Sequence, residues 1–294
     1  MVPERLKSFW QATRNELATV PLDARVNLSA TQPDTLAQVY DVTLTSLGGV
    51  RIRGVYALPA WPERHPLPAL INFPGYGGEM LPQLGLALEA GYALLTLYPR
   101  GQGPSQEFWR VPEGFTKLTL GLDAPENQYY RAGYMDCLRG VDFLCSRDEV
   151  DAARIGVYGT SQGGGLSLAT AALDDRIRAC AAHVPFLCAY RIAVETATTP
   201  PYLELTDYFA AHPEQRDTAL RTLEWLDPLA LAPWVACPTL VTVGDLDTCC
   251  PPPTIEAVYA RLRCPRALLR YPNLPHARCY DFRRQLRHWM DTYL

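Results

Sequence analysis

Residues 154–164 read RIGVYGTSQGG, an apolar run that ends in glycines with one serine among them. The pattern Gly-x-Ser-x-Gly is that of a nucleophile elbow, in which a buried strand turns sharply into a helix and leaves the serine exposed above the sheet. Gly159 and Gly163 flank Ser161 at the positions where the crossing leaves no room for side chains. Because the small-residue run 166–173 has helical character, the sequence predicts that Ser161 is a nucleophile.

Nearly continuous apolar runs recur along the chain and alternate with segments of helical periodicity. The runs lie at residues 69–73, 92–97, 154–158, 177–182 and 239–243, and helices are predicted near residues 82–90, 127–144, 162–173, 253–263 and 279–293. This alternation is typical of a parallel sheet covered on both faces. Residues 38–44 and 50–58 each alternate between apolar and polar side chains, and two glycines lie between the segments. This pattern predicts an antiparallel hairpin. With the elbow, these patterns predict an α/β-hydrolase fold with a doubly wound, mostly parallel sheet.

The domain organisation is predicted to be a single α/β-hydrolase domain over residues 1–294, because no linker divides the chain. Residues 1–20 predict an amphipathic helix that packs on this domain. Residues 185–234 interrupt the alternation with aromatic and proline-rich helical pieces. We interpret them as a small cap-like insertion over the site, with an ordinary peripheral helical layer as the alternative.

The composition of the chain limits which partners and cofactors are expected. The 294 residues are 48% hydrophobic and 20% charged, with a net charge of −4 and no basic face, so neither nucleic acid nor an anionic membrane is expected as a partner. The charged N-terminal segment lacks a signal-peptide core and no run reaches transmembrane length, which predicts a cytoplasmic protein. The nine cysteines form no Cys-x-x-Cys pair, so no metal or other cofactor is expected, and Cys249 and Cys250 are interpreted as loop and core residues.

A serine nucleophile needs a histidine base and a carboxylate that orients it, and in this fold they follow the serine in the order acid, histidine. His276 occupies a loop after the last apolar strand, 267–271, where that order requires the base. The other four histidines are less suitable. His65 lies in a turn, His288 in a helix and His212 in the insertion, and His183 lies upstream of any acid expected in this fold. Two aspartates follow the strand that ends at Gly244; Asp247 is the preferred acid and Asp245 the alternative.

The oxyanion that forms during ester cleavage needs two N–H donors. The backbone amide of Gln162, directly after the nucleophile, is one candidate. The other is expected from the glycine-rich loop at residues 73–78, in which Tyr76 is the preferred donor.

Four motifs together resemble the acetyl xylan esterase and cephalosporin-C deacetylase family of carbohydrate esterases. They are RGQG at residues 100–103, the elbow GTSQGG at 159–164, GDLD at 244–247 followed by PPPT at 251–254, and the His276 loop. The resemblance implies Ser161, Asp247 and His276 as catalytic triad and the amides of Tyr76 and Gln162 as oxyanion donors. It also implies a homohexamer that deacetylates small acetylated sugars. The family usually has glutamate after the catalytic histidine, where this chain has Ala277, so a contact to that histidine is expected to be lost.

The function predicted from residues and resemblance is a serine esterase that removes acetyl groups from carbohydrates such as acetylated xylo-oligosaccharides, with cephalosporin C as a further substrate. Tyr202 or Phe209 is expected to close a pocket for a short acyl group. Two alternatives stay open. One is an α/β-hydrolase with another substrate, as a general carboxylesterase, thioesterase or peptidase; the other is a noncatalytic hydrolase-like binding protein.

Overall fold

The computed structural model describes residues 3–30, 36–62, 65–78, 80–85 and 90–294. In these residues a nine-stranded sheet has the strand order β1-β2-β3-β5-β4-β6-β7-β8-β9. Its strands are β1 (Arg25–Leu28), β2 (Ala37–Thr45), β3 (Arg51–Pro59), β4 (Leu67–Phe73), β5 (Ala93–Tyr98), β6 (Val150–Thr160), β7 (Ile177–His183), β8 (Thr239–Gly244) and β9 (Arg266–Tyr271).

The sheet combines an antiparallel edge with a parallel body. Strands β4 to β9 pair in parallel, whereas β1, β2 and β3 pair antiparallel and β3 joins the body antiparallel to β5. The predicted hairpin is present, with Thr45 opposite Arg51. The edge strand β1 is not predicted by the sequence, because its mostly exposed side chains give it no buried face that would produce an apolar pattern.

Helices cover both faces of the sheet. They are α1 (Pro3–Ala18), α2 (Tyr129–Cys145), α3 (Gln162–Leu173), α4 (Tyr190–Thr196), α5 (Leu203–Ala211), α6 (Arg216–Leu223), α7 (Pro228–Leu231), α8 (Pro252–Arg261) and α9 (Tyr280–Tyr293). Neighbouring residues of β6 point to opposite sides, since Val157 packs in the core with α2 and α3 and Tyr158 packs with α9. The α/β-hydrolase architecture predicted from the sequence is therefore confirmed.

The predicted helices are found within a few residues of their expected bounds, with one exception. The helix expected at residues 82–90 falls partly on residues 86–89, which lie outside the described residues. Residues 185–234 contain α4 to α7, and this insertion packs on α1, where the Trp10 indole donates a hydrogen bond to the Trp225 carbonyl at 3.0 Å. Within the described ranges, no helix has the length and apolar character needed to cross a membrane.

Candidate active site

Ser161 lies at a sharp turn between the end of β6 and the start of α3. Its backbone φ of 58° and ψ of −121° are strained for a residue with a side chain. Two backbone hydrogen bonds hold this conformation: the Ser161 amide donates to the His183 carbonyl, and the Phe186 amide donates to the Ser161 carbonyl, both at 2.9 Å. The strain is thus fixed by the adjoining strand β7 and the residues after it, as a nucleophile elbow requires.

The glycines of the elbow are required by close backbone contacts. A Cβ atom on Gly159 would lie 2.4 Å from the Gly163 carbonyl carbon, and a Cβ atom on Gly163 would lie 2.2 Å from the Phe73 oxygen. Neither contact could be relieved by a side-chain movement, because the opposing atoms belong to the backbone. The elbow sequence is therefore explained by the packing of β6, α3 and β4.

His276 joins Ser161 to Asp247. Its Nε2 atom is 3.0 Å from the Ser161 Oγ atom, and its Nδ1 atom is 2.8 Å from Asp247 Oδ2. The second carboxylate oxygen of Asp247 accepts the backbone amides of Cys249 and Cys250 at 2.9 and 2.7 Å. The structure thus brings the three predicted triad residues together, and the Asp247 side chain is fully buried behind the half-buried histidine.

Asp245, the alternative acid, makes different contacts. Its carboxylate forms an ion pair with Arg270 at 2.7 Å, and its amide donates to the Tyr271 carbonyl at 3.1 Å. The aspartate in contact with His276 is Asp247.

The pKa of His276 is set by competing effects. Burial lowers it, but the hydrogen bond to Asp247 and the neighbouring Cys249 sulfur outweigh burial and raise the pKa above its ordinary value. The neighbouring side chains of Cys250 and His276 lower the pKa of the Cys249 thiol. Cys249 therefore favours the protonated imidazole, an influence that the sequence did not reveal.

The two predicted oxyanion donors lie on segments that the Gln162 side chain ties together. Its amide nitrogen donates to the Gly75 carbonyl at 3.3 Å and to the Gln102 side-chain oxygen at 3.0 Å, and its oxygen accepts from the Tyr130 hydroxyl at 2.9 Å. Gln102 in turn donates to the Gly75 carbonyl at 3.2 Å. No acceptor within the described part of the chain pairs with the backbone amides of Tyr76 and Gln162. Both amides therefore stay candidates for the predicted oxyanion donors.

The RGQG motif at residues 100–103 holds Gln102 in this position. The Arg100 guanidinium and backbone amide donate to buried Asp136 at 2.8 to 2.9 Å, and the guanidinium also donates to the Leu47 carbonyl at 2.9 Å. Gly101 has a φ of 70°, and a Cβ atom there would lie 2.8 Å from the Trp109 ring. The motif therefore anchors the loop that contains Tyr76.

Tyr76 connects this loop to the insertion. Its hydroxyl donates a hydrogen bond to Glu204 of α5, the Lys117 ammonium lies 4.1 Å above its ring, and its ring packs edge-on against Phe186 at 5.6 Å. Burial and the bond to Glu204 raise the pKa of the Tyr76 hydroxyl. The insertion thus contacts the predicted oxyanion loop directly.

The two residues predicted to close an acyl pocket are both buried. Tyr202 packs against Phe186 with ring centroids 4.3 Å apart, and its hydroxyl donates to the Cys188 carbonyl at 3.1 Å. Phe209 is 6% exposed and lies on α5. Ser161 borders a cavity of about 1380 Å³, whose lining includes Tyr98 and Phe282 but neither Tyr202 nor Phe209.

His183, which the sequence placed upstream of any acid, contacts the loop that contains His276. Its Nδ1 atom is 2.6 Å from the Thr242 hydroxyl, its Nε2 atom is 3.2 Å from the Ala277 carbonyl oxygen, and its ring stacks on Phe282 at 4.4 Å. Burial lowers the pKa of His183 to about 4, so the ring is neutral near pH 7. Because the Ala277 carbonyl can only accept, Nε2 carries the proton of the neutral ring, and Nδ1 accepts the hydrogen bond from the Thr242 hydroxyl.

Four side chains near Ser161 have metal-ligating atoms within 4.8 Å of one another: Asp247, Cys249, Cys250 and His276. Cysteine spacing did not reveal this group, because its members come from two loops and only two of them are cysteines. The adjacent cysteines two and three residues after the predicted acid were the signal that could have found it.

Comparison with known proteins agrees with this architecture. The family model for acetyl xylan esterase matches residues 1–293. The chain is 28% identical over 288 residues to acetyl esterase Axe7A of Xylanibacter ruminicola; the match covers 93% of this chain and 63% of that relative. It superposes on the acetyl xylan esterase from Paenibacillus sp. R4 with a TM-score of 0.92 and 34% identity, covering 98% of this chain and 94% of the other.

A second solved structure, acetyl xylan esterase 1 from Thermoanaerobacterium sp. JW/SL YS485, has a TM-score of 0.89 and 29% identity. That superposition covers 98% of this chain and 93% of the other. The chain therefore belongs to the acetyl xylan esterase family and is a serine carboxylic-ester hydrolase.

Proposed function

We propose that this chain hydrolyses acetyl esters of carbohydrates, with Ser161 as nucleophile, His276 as general base and Asp247 as the residue that orients the base. The observation that carries the proposal is the hydrogen-bonded series from Asp247 through His276 to the Ser161 hydroxyl. Acetylated xylo-oligosaccharides are the proposed substrates because the solved relatives are acetyl xylan esterases. Cephalosporin C is a second proposed substrate, on the resemblance found in the sequence.

The proposed reaction begins when the Ser161 oxygen attacks the acetyl carbonyl carbon while its proton moves to His276 Nε2. The Nδ1–H bond to Asp247 keeps the imidazole in the tautomer that has a free lone pair on Nε2, and the carboxylate stabilises the imidazolium that forms. His276 then returns the proton to the leaving sugar hydroxyl. In the second half, water attacks the acetyl-serine while His276 takes a proton from that water. The bond between the acyl carbon and Ser161 Oγ then breaks, His276 returns the proton to Oγ, and acetate leaves.

The oxyanion of each tetrahedral intermediate is proposed to accept hydrogen bonds from the backbone amides of Tyr76 and Gln162. Side-chain bonds from Gln162 and Gln102 to the Gly75 carbonyl support this assignment, because they fix the loop before a substrate arrives. An oxyanion donor that is already in position is worth about 10² to 10³ in kcat.

Tyr202 and Phe209 remain the proposed wall for a short acyl group. Tyr202 would act through Phe186, which lies between it and Tyr76. A wall of this kind separates neighbouring acyl lengths by about 1 to 3 kcal/mol per methylene, so propionyl esters should react more slowly than acetyl esters but still react.

The same proposal includes an assembly, a location and a role for residues 185–234. The insertion is proposed to cap the site, which the hydrogen bond from the Tyr76 hydroxyl to Glu204 of the insertion supports. A cytoplasmic homo-oligomer, with a hexamer as the form implied by the resemblance, completes the proposal. Sedimentation velocity and cell fractionation test the assembly and the location.

The decisive experiment compares the parent protein with Ser161→Ala on p-nitrophenyl acetate. Loss of the nucleophile should reduce kcat by on the order of 10⁶. Ser146→Ala, at the distant C-terminus of α2, is the matched control and should retain the parent rate. A fluorophosphonate probe should label the parent once per chain and leave Ser161→Ala unlabelled; an active or labelled Ser161→Ala protein would refute the assignment.

Substrate class is tested separately with the parent protein. The enzyme should hydrolyse three acetylated compounds faster than it hydrolyses longer acyl esters or a peptide amide. These compounds are acetylated xylo-oligosaccharides, glucose pentaacetate and cephalosporin C. Faster cleavage of the amide or of a thioester would refute the proposal of a carbohydrate substrate but would not contradict the proposed triad.

A further inference from the structure

The loops after β8 and β9 bring together four side chains with metal-binding atoms. The first loop contains Asp247, Cys249 and Cys250, and the second contains His276. One ligand atom from each of them lies within 4.8 Å of the others. Three of the four residues are buried and the histidine is half-buried, so the group lies just behind the reactive serine rather than on the open surface.

Hydrogen bonds hold this group together. One oxygen of Asp247 accepts the amides of Cys249 and Cys250, which folds both cysteines back toward the carboxylate. The other oxygen is bonded to His276 Nδ1 at 2.8 Å. Little rearrangement of the backbone is needed to direct all four side chains at one point, so the cost of ordering the ligands is already met by the fold.

The ligand types identify the class of ion. Two sulfurs, one imidazole nitrogen and one carboxylate oxygen match the preference of Zn²⁺ and of the chemically similar, thiophilic Cd²⁺, which accept four-coordinate sites of mixed sulfur and nitrogen. Mg²⁺ and Ca²⁺ prefer sites made of oxygen atoms alone. A soft divalent cation is therefore the expected ligand.

We propose that Asp247, Cys249, Cys250 and one imidazole nitrogen of His276 form a binding site for a thiophilic divalent cation, and that the bound ion reversibly inhibits the enzyme. Each coordinating thiol releases its proton to solvent as its sulfur bonds the ion. The half-buried His276 provides the route from solvent, since its side chain is 28% exposed.

Coordination removes the base whichever nitrogen is used. An ion on Nε2 occupies the lone pair that would accept the Ser161 proton. An ion on Nδ1 displaces the proton from that nitrogen, and the neutral ring then has its proton on Nε2, facing Ser161. The inhibitory part of the proposal rests on the proposed catalytic role of His276, whereas the binding part does not.

Binding is measured first, on the full chain freed of metal with a chelator and kept reduced. Titration with Cd²⁺ should produce the ultraviolet charge-transfer absorption of cadmium–thiolate bonds, and equilibrium dialysis should give a tight site for one Zn²⁺ per chain. Cys249→Ser and Cys250→Ser should each weaken binding by more than the roughly 10- to 100-fold that follows loss of a residue that only orients a ligand. Cys145→Ser, which alters a cysteine at the end of α2, is the matched control and should bind as the parent does.

Inhibition is measured on the same samples, each variant against its own metal-free rate. The parent and Cys145→Ser should lose p-nitrophenyl acetate hydrolysis as the site fills and recover it when the chelator is restored. The double variant Cys249→Ser with Cys250→Ser should need a much higher metal concentration. Equal cadmium–thiolate absorption in the parent and the double variant would overturn the site, whereas a filled site with unchanged hydrolysis would overturn the role of His276 as base.

Discussion

Replacing His183 with phenylalanine tests whether this buried histidine positions His276. Phenylalanine keeps a flat ring that can stack on Phe282 but removes the two nitrogens that bond Thr242 and Ala277. The Thr242 hydroxyl would still accept the Val184 amide, and the carbonyl of exposed Ala277 could bond water. Two lost hydrogen bonds of about 0.5 to 1.5 kcal/mol each should lower the free energy of unfolding by about 1 to 3 kcal/mol.

The effect on catalysis should exceed what this modest loss of stability implies. Ala277 follows His276 directly, so the bond from His183 restrains the segment that positions the imidazole. A displacement of a reacting group by about 1 Å can cost about 10² in rate. That factor corresponds to about 2.7 kcal/mol in the activation barrier. We expect kcat to fall by about 10- to 100-fold with KM little changed, because the substrate contacts remain.

The assay determines kcat and KM for p-nitrophenyl acetate at a temperature where circular dichroism shows each variant folded. His183→Gln, which keeps an N–H donor on a long side chain, should recover part of the lost kcat. His288→Phe makes the same substitution at an exposed position of α9 and should match the parent. If His183→Phe lowers the melting temperature but retains the parent kcat, the residue is only structural and the positioning role is refuted.

Three further predictions concern titration and buried charge. Burial lowers the pKa of His183 from 6.5 to about 4, so the unfolded chain takes up this proton at a higher pH than the folded chain does. The free energy of unfolding should therefore fall by up to about 3 kcal/mol as the pH drops from about 6.5 to about 4. Urea unfolding measured at several pH values should show a smaller fall over this range in His183→Phe. Asp136→Asn leaves the Arg100 charge unpaired and should cost about 3 to 5 kcal/mol in urea unfolding, and a loss under about 1 kcal/mol would contradict this. Cys249→Ala removes a group that raises the pKa of His276, so the acidic limb of kcat/KM should move to lower pH; an unmoved limb would exclude this influence.

The fold and the site geometry differ in how far the sequence could predict them. The apolar runs and the elbow were predictable because each depends on a local pattern, the continuous burial of a parallel strand or the glycines of a tight crossing. The order of motifs along the chain also selected His276, although it lies 115 positions from Ser161. Strand β1 was not predictable, since its exposed side chains leave no apolar pattern.

Contacts between side chains that are distant in the sequence produce no local sequence pattern and could not be predicted. Gln102 and Gln162 are 60 positions apart, and only the folded chain shows that both bond the Gly75 carbonyl. The influence of Cys249 on His276 was hidden for the same reason. The RGQG motif was part of the family resemblance and therefore drew attention to Gln102. That Gln102 holds the loop of Tyr76 could be seen only in the structure.

Ala277 shows why a missing side chain does not by itself mean a missing contact. The sequence predicted that a contact to the catalytic histidine is lost where the family usually has glutamate. In the structure the segment is restrained through the backbone carbonyl of Ala277, which accepts a bond from His183 on β7. A carbonyl is present whichever side chain follows His276, so substitutions at position 277 should leave this restraint intact, whereas substitutions of His183 should remove it. His183 on β7, rather than the side chain at position 277, is therefore expected to restrain this segment, in addition to the bond between Asp247 and His276.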